Sequence, residues 1–261
     1  MSSLYDDPAT GSCGVPGWFA RAHGALPRPM REDPGEDVPW SMPIILNIPK
    51  PDRPDRTELL EAAATAVVAC CLDERAGDAD SPYARALGQW YGARIRKIAR
   101  RARNVQWDRV QDLPGVTASV GGASVRALTP GPVGGEDAVV AKLQIGGTDL
   151  PKPDSPAREA GDAVERDDGV PTIWFDADLG MTVGKAAAQV GHGSMLLAAV
   201  MDVAAAWEWA RDGYPLRVRE VPRDALPTGD VVDVVVHDAG FTEIAPGAAT
   251  VAVTGGRYSG A

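Results

Sequence analysis

The sequence predicts an α/β protein of two similar three-layer units, each holding a small mixed β-sheet, arranged as a pseudo-dimer within one chain. Three observations carry that expectation. Strand-like and helix-like segments alternate over residues 43–147 and again over 171–256, the pattern of layered α/β units. The parts recur in the same order in both stretches, a sign of internal repetition. Between them the run LPKPDSPAREAGDAVERDDGV, residues 150–170, is dense in proline and charge, a linker composition.

The boundaries follow from these signals. Residues 1–40, rich in Gly, Pro and acids without a sustained period, are expected to form an extended or partly ordered arm that Trp18, Phe19 and Trp40 can dock. Residues 41–147 form the first unit, 148–170 the linker and 171–261 the second unit. Pro43-Ile44-Ile45-Leu46 reads as a strand followed by a helix from Thr57 to Cys71; Pro171 to Phe175 and Gly184 to Met201 read the same way. A second helix is marked by Gln89-Trp90-Tyr91-Gly92 in one unit and by Glu208-Trp209-Ala210-Arg211-Asp212-Gly213 in the other. Leu113-Pro114-Gly115 answers Leu226-Pro227-Thr228-Gly229, and a last apolar strand is expected at Val139 to Leu143 and at Thr250 to Val253.

Gapless matching of the first strand and helix sets Thr57 opposite Lys185, Glu61 opposite Gln189 and Ala64 opposite His192, so the first copy has lost a polar stripe. Anchoring on Pro130-Gly131 and Pro246-Gly247 sets Gly122 opposite Asp238 and Arg126 opposite Thr242. The repetition reads as a duplication with one decayed copy; coincidence between two small α/β units is the alternative.

A chain of 261 residues, 44% hydrophobic and 24% charged, fits one large or two small globular domains. No apolar run approaches the roughly 20 residues of a membrane span, and MSSLYDDPATGSCG lacks the basic-then-apolar layout of a signal peptide, so a cytoplasmic protein is expected. Cys13, Cys70 and Cys71 make neither a disulfide framework nor a zinc spacing and read as free thiols. The net charge of −10 argues against a protein that grips nucleic acid over its whole surface, because such binding neutralises phosphates. The acid excess is concentrated in the arm, the linker and the last third, whereas residues 41–147 carry a slight basic excess.

Within GKAAAQVGHG, Lys185, Gln189 and His192 fall at i, i+4 and i+7, one stripe of a helix otherwise made of small or apolar residues. Lys185 stands in the first turn, where the helix dipole disfavours a cation. That placement points to an anion or a developing negative charge nearby; a lysine reaching out to solvent is the alternative. The β-branched run Val231 to Val236 delivers His237, Asp238, Ala239 and Gly240 at its carboxyl end, where open α/β sheets place ligands. Asp238 there can act as a general base or orient a water, with Thr242 supplying a hydroxyl; an Asp-Ala-Gly turn that bonds its own backbone is the alternative. His192 and His237 are supporting candidates, each equally readable as a packed histidine. Neither metal-ligand spacing nor a phosphate loop occurs, so no metal and no cofactor is indicated. Arg94, Arg96, Lys97, Arg100, Arg101, Arg103 and Arg109 form a basic segment in which the spacing at 96, 100 and 103 fits one face of a helix, suited to RNA phosphates or else a solvated face.

GKAAAQVGHG and VHDAGFTEIAPGAATV, in order and with a Trp-and-Gly helix between, resemble the two signature segments of the archaeal and eukaryotic-type peptidyl-tRNA hydrolases. Those read approximately G-K-x-A-A-Q-x-x-H-A and x-D-A-G-x-T-x-I-x-P-G-x-x-T, and the likeness covers nearly all of 171–256. Gly193 departs from the alanine of the first segment. The resemblance implies hydrolysis of the ester joining a peptide to the terminal ribose of tRNA. It implies Lys185 as the cation stabilising the oxyanion and Asp238 as the carboxylate that positions or activates water. Thr242 and Thr250 match the family's site threonines, and Gln189 a supporting polar group. The family is normally homodimeric, so the first unit stands in for the partner. A non-catalytic tRNA-binding or scaffold relative is the main alternative, and a small-molecule hydrolase a weaker one.

Overall fold

The computed structural model describes residues 14–27, 39–92, 96–152, 169–237 and 249–258. The first unit begins with β1 (Trp40–Asn47) and α2 (Arg56–Cys71), preceded by a helix α1 (Gly17–Gly24) from the arm. It continues through α3 (Pro82–Gly92), β2 (Arg96–Ala102), α4 (Val105–Val110), β3 (Gly115–Val120), β4 (Ala123–Leu128), β5 (Gly131–Pro132) and α5 (Ala138–Ala141). The second unit runs β6 (Thr172–Asp176), α6 (Val183–Val200), α7 (Val203–Arg211), β7 (Arg217–Val221), β8 (Val234–His237) and β9 (Ala249–Thr254).

The two sheets have the same plan. The first is ordered β2-β1-β4-β3, with the short β5 also on β1, and the second β7-β6-β9-β8. In both, the first strand pairs parallel with the second and antiparallel with the fourth, and the third and fourth pair antiparallel. The tryptophans singled out in the sequence occupy matching places. Trp90 Nε1 donates to Arg96 O at 3.0 Å and Trp209 Nε1 to Pro215 O at 2.9 Å, each fastening a helix to the chain that enters or approaches the next strand. Both indoles are fully buried, where an unpartnered N–H would be costly.

Strand alternation gives each sheet two working faces. Ile44, Leu46, Ile173 and Phe175 point into one continuous core that joins the units, whereas Ile45 packs under α4 and α5, and Trp174 packs with Val221 and Ala252 on the far face of the second sheet. Each unit therefore has an outer cover, a sheet and a long helix, and the two long helices meet in the middle. Asp55 starts α2 by accepting from Thr57 N and Glu58 N, and Thr182 starts α6 by accepting from Lys185 N. The run LLEAAATAVVACC presents apolar or small side chains on nearly every side, and α2 is accordingly buried almost all round.

Small residues set how closely α2 and α6 approach. A Cβ on Gly191 would lie 2.7 Å from Val67 Cγ2, and Ser194 Oγ donates to Ala64 O at 2.8 Å. These two contacts exchange with one another if Ala64 corresponds to Gly191 and Val67 to Ser194, as an isologous interface requires. The same offset matches the two caps, Asp55 and Thr182. The helix equivalences are thus Glu58 with Lys185, Ala62 with Gln189 and Thr65 with His192, one residue away from the gapless sequence matching. That matching failed because the loops between first strand and helix differ in length.

Other expectations change as well. The last strand of the first unit is Ala123–Leu128; Val139 to Leu143 instead enters α5, where Asp137 caps the helix by accepting from Val139 N. Pairing with β1 and β6 sets Ser124 opposite Thr250, so Arg126, on β4, is no counterpart of Thr242, which precedes β9. The basic segment is a strand and not a helix over 96–102. The expected linker starts later than residue 148, because Thr148 is buried and its Oγ1 accepts from Gly184 N. In the arm, residues 17–24 are helical: Phe19 is buried against Trp207, and His23 Nε2 donates to Ala198 O at 2.9 Å. Cys70 and Cys71 are free and buried; Cys13 lies outside the described residues. Among the described residues no helix is long and apolar enough to cross a membrane.

A buried ion pair also ties the units: Arg56 Nε lies 2.8 Å from Glu220 Oε2, and its Nη2 reaches Glu220 Oε1 at 3.3 Å and Met181 O at 3.4 Å. Glu220→Gln should destabilise by about 3–5 kcal/mol in urea unfolding, because a buried guanidinium loses its counter-charge; the double change Arg56→Met, Glu220→Leu should cost much less. Gly191→Ala gains about 1 kcal/mol of helix propensity but forces the added methyl on the stiff Val67, so a net loss of about 1–2 kcal/mol is expected. Combined with Val67→Ala, the loss should fall short of the sum of the single changes.

Candidate active site

Lys185 is the third residue of α6, where its backbone N–H is capped by Thr182 Oγ1 at 3.3 Å. Lys185, Gln189 and His192 are half-buried on one side of the helix, while Val183, Gly184, Ala186, Ala187, Val190 and Gly191 are buried around them. The polar stripe expected from the spacing is therefore formed. Gly193 faces the sheet, where an added Cβ would come within 3.0 Å of Val253 Cγ2, so α6 rests tightly on β9 at the position where the signature has alanine.

Thr250 reaches the stripe through an irregularity of the sheet. β8 and β9 pair regularly from Val234 opposite Val253 to Val236 opposite Val251, and then the register shifts so that His237 lies opposite Ala249. Thr250 is the extra residue of this bulge. A bulge re-aims a side chain that strict alternation would send to the other face. The buried Thr250 Oγ1 lies 3.2 Å from Gln189 Oε1 and 3.1 Å from Val236 O, its single proton serving these two acceptors. The corresponding hairpin of β3 and β4 has no shift, pairing evenly from Gly115 opposite Leu128 to Val120 opposite Ala123. His237 is the last residue of β8, one residue before Asp238. The expectations on Asp238 and Thr242 fall in 238–248, outside the described residues, as does Arg94.

His192 meets a side chain from the other unit. Lys97 Nζ, on β2, lies 2.8 Å from His192 Nδ1 and 4.9 Å from the Trp90 ring centroid. Burial pushes the Lys97 ammonium down to about 7, opposed by the nearby Cys71. Burial, reinforced by Lys97, holds His192 well below the ordinary histidine value. In both groups loss of water is the largest cause disfavouring the charged form.

The strand divides the basic segment between its faces. Lys97, Ala99 and Arg101 point to one side and Arg96, Ile98 and Arg100 to the other. Arg100 is buried, with Nη1 donating to Leu143 O and Nη2 to Glu136 Oε1, each at 3.2 Å. Arg101 donates to Gly147 O at 2.9 Å and to Gln144 Oε1. Lys97, Arg100 and Arg101 are thus engaged within the fold, whereas Arg103 is half-exposed and Arg109 exposed. No sequence signal announces the Lys97–His192 contact, since it joins two units 95 residues apart.

The first unit lacks the same chemistry at the equivalent positions. Glu58 stands for Lys185 and accepts from Gly122 N at 2.9 Å, Ala62 stands for Gln189, Thr65 for His192 and Ser124 for Thr250. Gly121, with φ +51°, leaves no room for a Cβ beside the Glu58 carboxylate. Where Lys97 meets His192 on one side, Leu216 and Thr65 line a groove of about 410 Å3 on the other. Among the described residues no group of three or more His, Cys, Asp or Glu is placed to hold a metal.

Residues 172–258 match the family model described as Peptidyl-tRNA hydrolase PTH2. The match spans the second unit and stops short of the first. No curated protein and no solved structure matches the chain.

The Lys97 shift has a measurable consequence. In the unfolded chain the lysine titrates at its ordinary value, and in the folded protein at about 7. Between those values the unfolded state binds more protons, so this group adds stability as pH rises. Relative to Lys97→Met, wild-type unfolding free energy should therefore climb from about pH 7 toward pH 10 in urea titrations, and a flat difference would contradict the buried amine.

Proposed function

We propose that the second unit hydrolyses the ester joining a peptide, or an N-blocked amino acid, to the terminal ribose of tRNA. The observation that carries the reading is the half-buried stripe of Lys185 and Gln189, extended through Thr250 by a bulge and lying within the segment that matches the family model. The first unit, with Glu58 and Ala62 in the corresponding places, is read as a decayed copy that acts as an intrachain partner.

The proposed mechanism needs little from the protein because the ester is already an activated acyl donor. Asp238 orients a water and takes its proton as it attacks the carbonyl carbon. The Lys185 ammonium, carried on the first turn of α6 in a partly dry setting, stabilises the oxyanion that forms on the carbonyl oxygen. Thr250 and Gln189 fix the wall of the site through their mutual hydrogen bond, and Thr242 supplies a further hydroxyl. The leaving ribose hydroxyl recovers a proton as the tetrahedral intermediate collapses, releasing peptide and free tRNA. Arg94, Arg96, Arg103 and Arg109 are proposed to meet tRNA phosphates on the first unit, with Arg101 secondary because Gly147 O and Gln144 already engage it. Lys97 and Arg100, turned to His192 and Glu136, contribute less to that grip than the sequence suggests.

Purified protein is expected to release peptide from N-acetylaminoacyl-tRNA. Lys185→Ala and Asp238→Asn should each lower kcat by about 100- to 1,000-fold, with tRNA binding retained. Wild-type protein that binds several peptidyl-tRNAs and cleaves none would replace this reading with that of a non-catalytic tRNA-binding relative.

A further inference from the structure

We infer that Lys97 of the first unit is a positioning residue of the second unit's site, holding the His192 imidazole in the tautomer whose Nε2–H is presented on the polar stripe of Lys185 and Gln189. As a statement about catalysis this rests on the reading given under Proposed function; as a statement about His192 it stands on geometry alone.

The 2.8 Å contact places Nζ at Nδ1, one of the two ring nitrogens. Below about pH 7 Lys97 is an ammonium, with three donors and no lone pair, so the ring nitrogen facing it must accept, and the ring proton of a neutral imidazole then resides on Nε2. Nε2 meets no hydrogen-bond partner among the described residues and is not a buried orphan, which leaves its N–H at the half-exposed edge of the ring. His192 is the third member of the stripe that begins at Lys185, one turn past Gln189. A fixed donor there suits an oxygen acceptor on a bound ester substrate, whereas an imidazole free to exchange tautomers offers a donor only part of the time.

Lys97 is itself held. Its ammonium stands over Trp90, whose indole is locked by the hydrogen bond to Arg96 O, so the lysine is framed by its own unit and presented across the interface. The pseudo-symmetric position argues against a purely structural role. There the same framework, with Trp209 locked to Pro215 O, carries Leu216 in place of Lys97 and Thr65 in place of His192. At those two positions the fold is therefore built from Leu216 and Thr65, and among the described residues the lysine–histidine contact occurs only on the Lys185 side.

Nitrogen-15 labelling of histidine tests this directly in the full chain, which has three histidines, His23, His192 and His237, assignable by single His→Asn changes. At about pH 6.5, His192 is expected to show an acceptor-type Nδ1 and a protonated Nε2. Lys97→Met should turn this into an exchange-averaged signal and lower kcat about tenfold with KM changed less than about twofold, while Lys97→Arg, which keeps a donor, should retain both the tautomer and most of kcat. A protonated Nδ1 in wild type, or a Lys97→Met protein with unaltered His192 signals and unaltered kcat, overturns the inference. Should Lys97→Met prove poorly folded, the wild-type and Lys97→Arg spectra decide alone. A wild type with the expected tautomer but no esterase turnover upholds the positioning of His192 and defeats the reaction proposed for the site.

Discussion

The contact between α2 and α6 is the constraint on which the other features of this protein depend. A helix as uniformly apolar as α2 has no face to give to water, so one sheet cannot satisfy it. It is covered by its own sheet on one side and by α6 on the other, and α6 is covered in the same manner. Gly191 against Val67 and Ser194 against Ala64 let the backbones come close enough for a side-chain hydroxyl of one helix to reach a carbonyl of the other. At that separation each long helix also lies along the edge strand of the opposite unit. Gly184 of α6 approaches Ala99 of β2, and Glu61 of α2 accepts from Val218 N of β7 at 3.1 Å. Both flanks of the helix pair are consequently assembled from both units.

The scaffold is nearly symmetric and its chemistry is not. At the first-turn position the second unit has a lysine, and the first has Glu58, which is used up on a glycine turn. A two-residue turn, Gly121-Gly122, joins β3 to β4, whereas eleven residues, 238–248, separate β8 from β9. The even register of β3 and β4 is the geometric partner of that short turn. The bulge at Thr250 accompanies the long connection, and it turns a hydroxyl toward Gln189. Polar stripe, bulge and the longer stretch between the last two strands thus occur together in the second unit, and the first unit has none of the three.

Much of this was legible in the sequence because it rests on local rules. The 3.6-residue period placed Lys185, Gln189 and His192 on one side of a helix, and the capping residues Asp55 and Thr182 lie where the helices begin. The repeated Trp-and-Gly signals corresponded to a repeated indole hydrogen bond. What escaped was decided by pairing partners distant in the chain. The basic residues 96–103 have a spacing that fits a helix face, yet the parallel ladder with β1 makes them a strand and sends alternate side chains to opposite faces. Val139 to Leu143 is apolar enough for a strand, but β4 already fills the fourth place in the sheet, and Asp137 is available as a cap. The one-residue error in matching the helices arose because a gapless comparison cannot see a difference in loop length, whereas the exchange of two interhelical contacts fixes the equivalence.

Joining the two units in one chain removes a restriction that a homodimer would impose. Across a true two-fold axis, whatever one protomer offers its partner's groove it must accept in its own, so a lysine that is costly to bury is buried twice. Here the lysine is buried once. Lys97 stands half-dry against His192, with its ammonium pushed down to about 7, while the opposite groove has Leu216 and Thr65 at the matching positions and a different half-buried charge, Glu61, whose carboxyl burial pushes up. The same freedom allows the first unit to keep its apolar helix and matching sheet while Glu58, Ala62 and Ser124 replace the polar set. What the first unit presents across the interface on the Lys185 side is the β2 edge: Lys97 at one end and Ala99, small enough to admit Gly184, at the other.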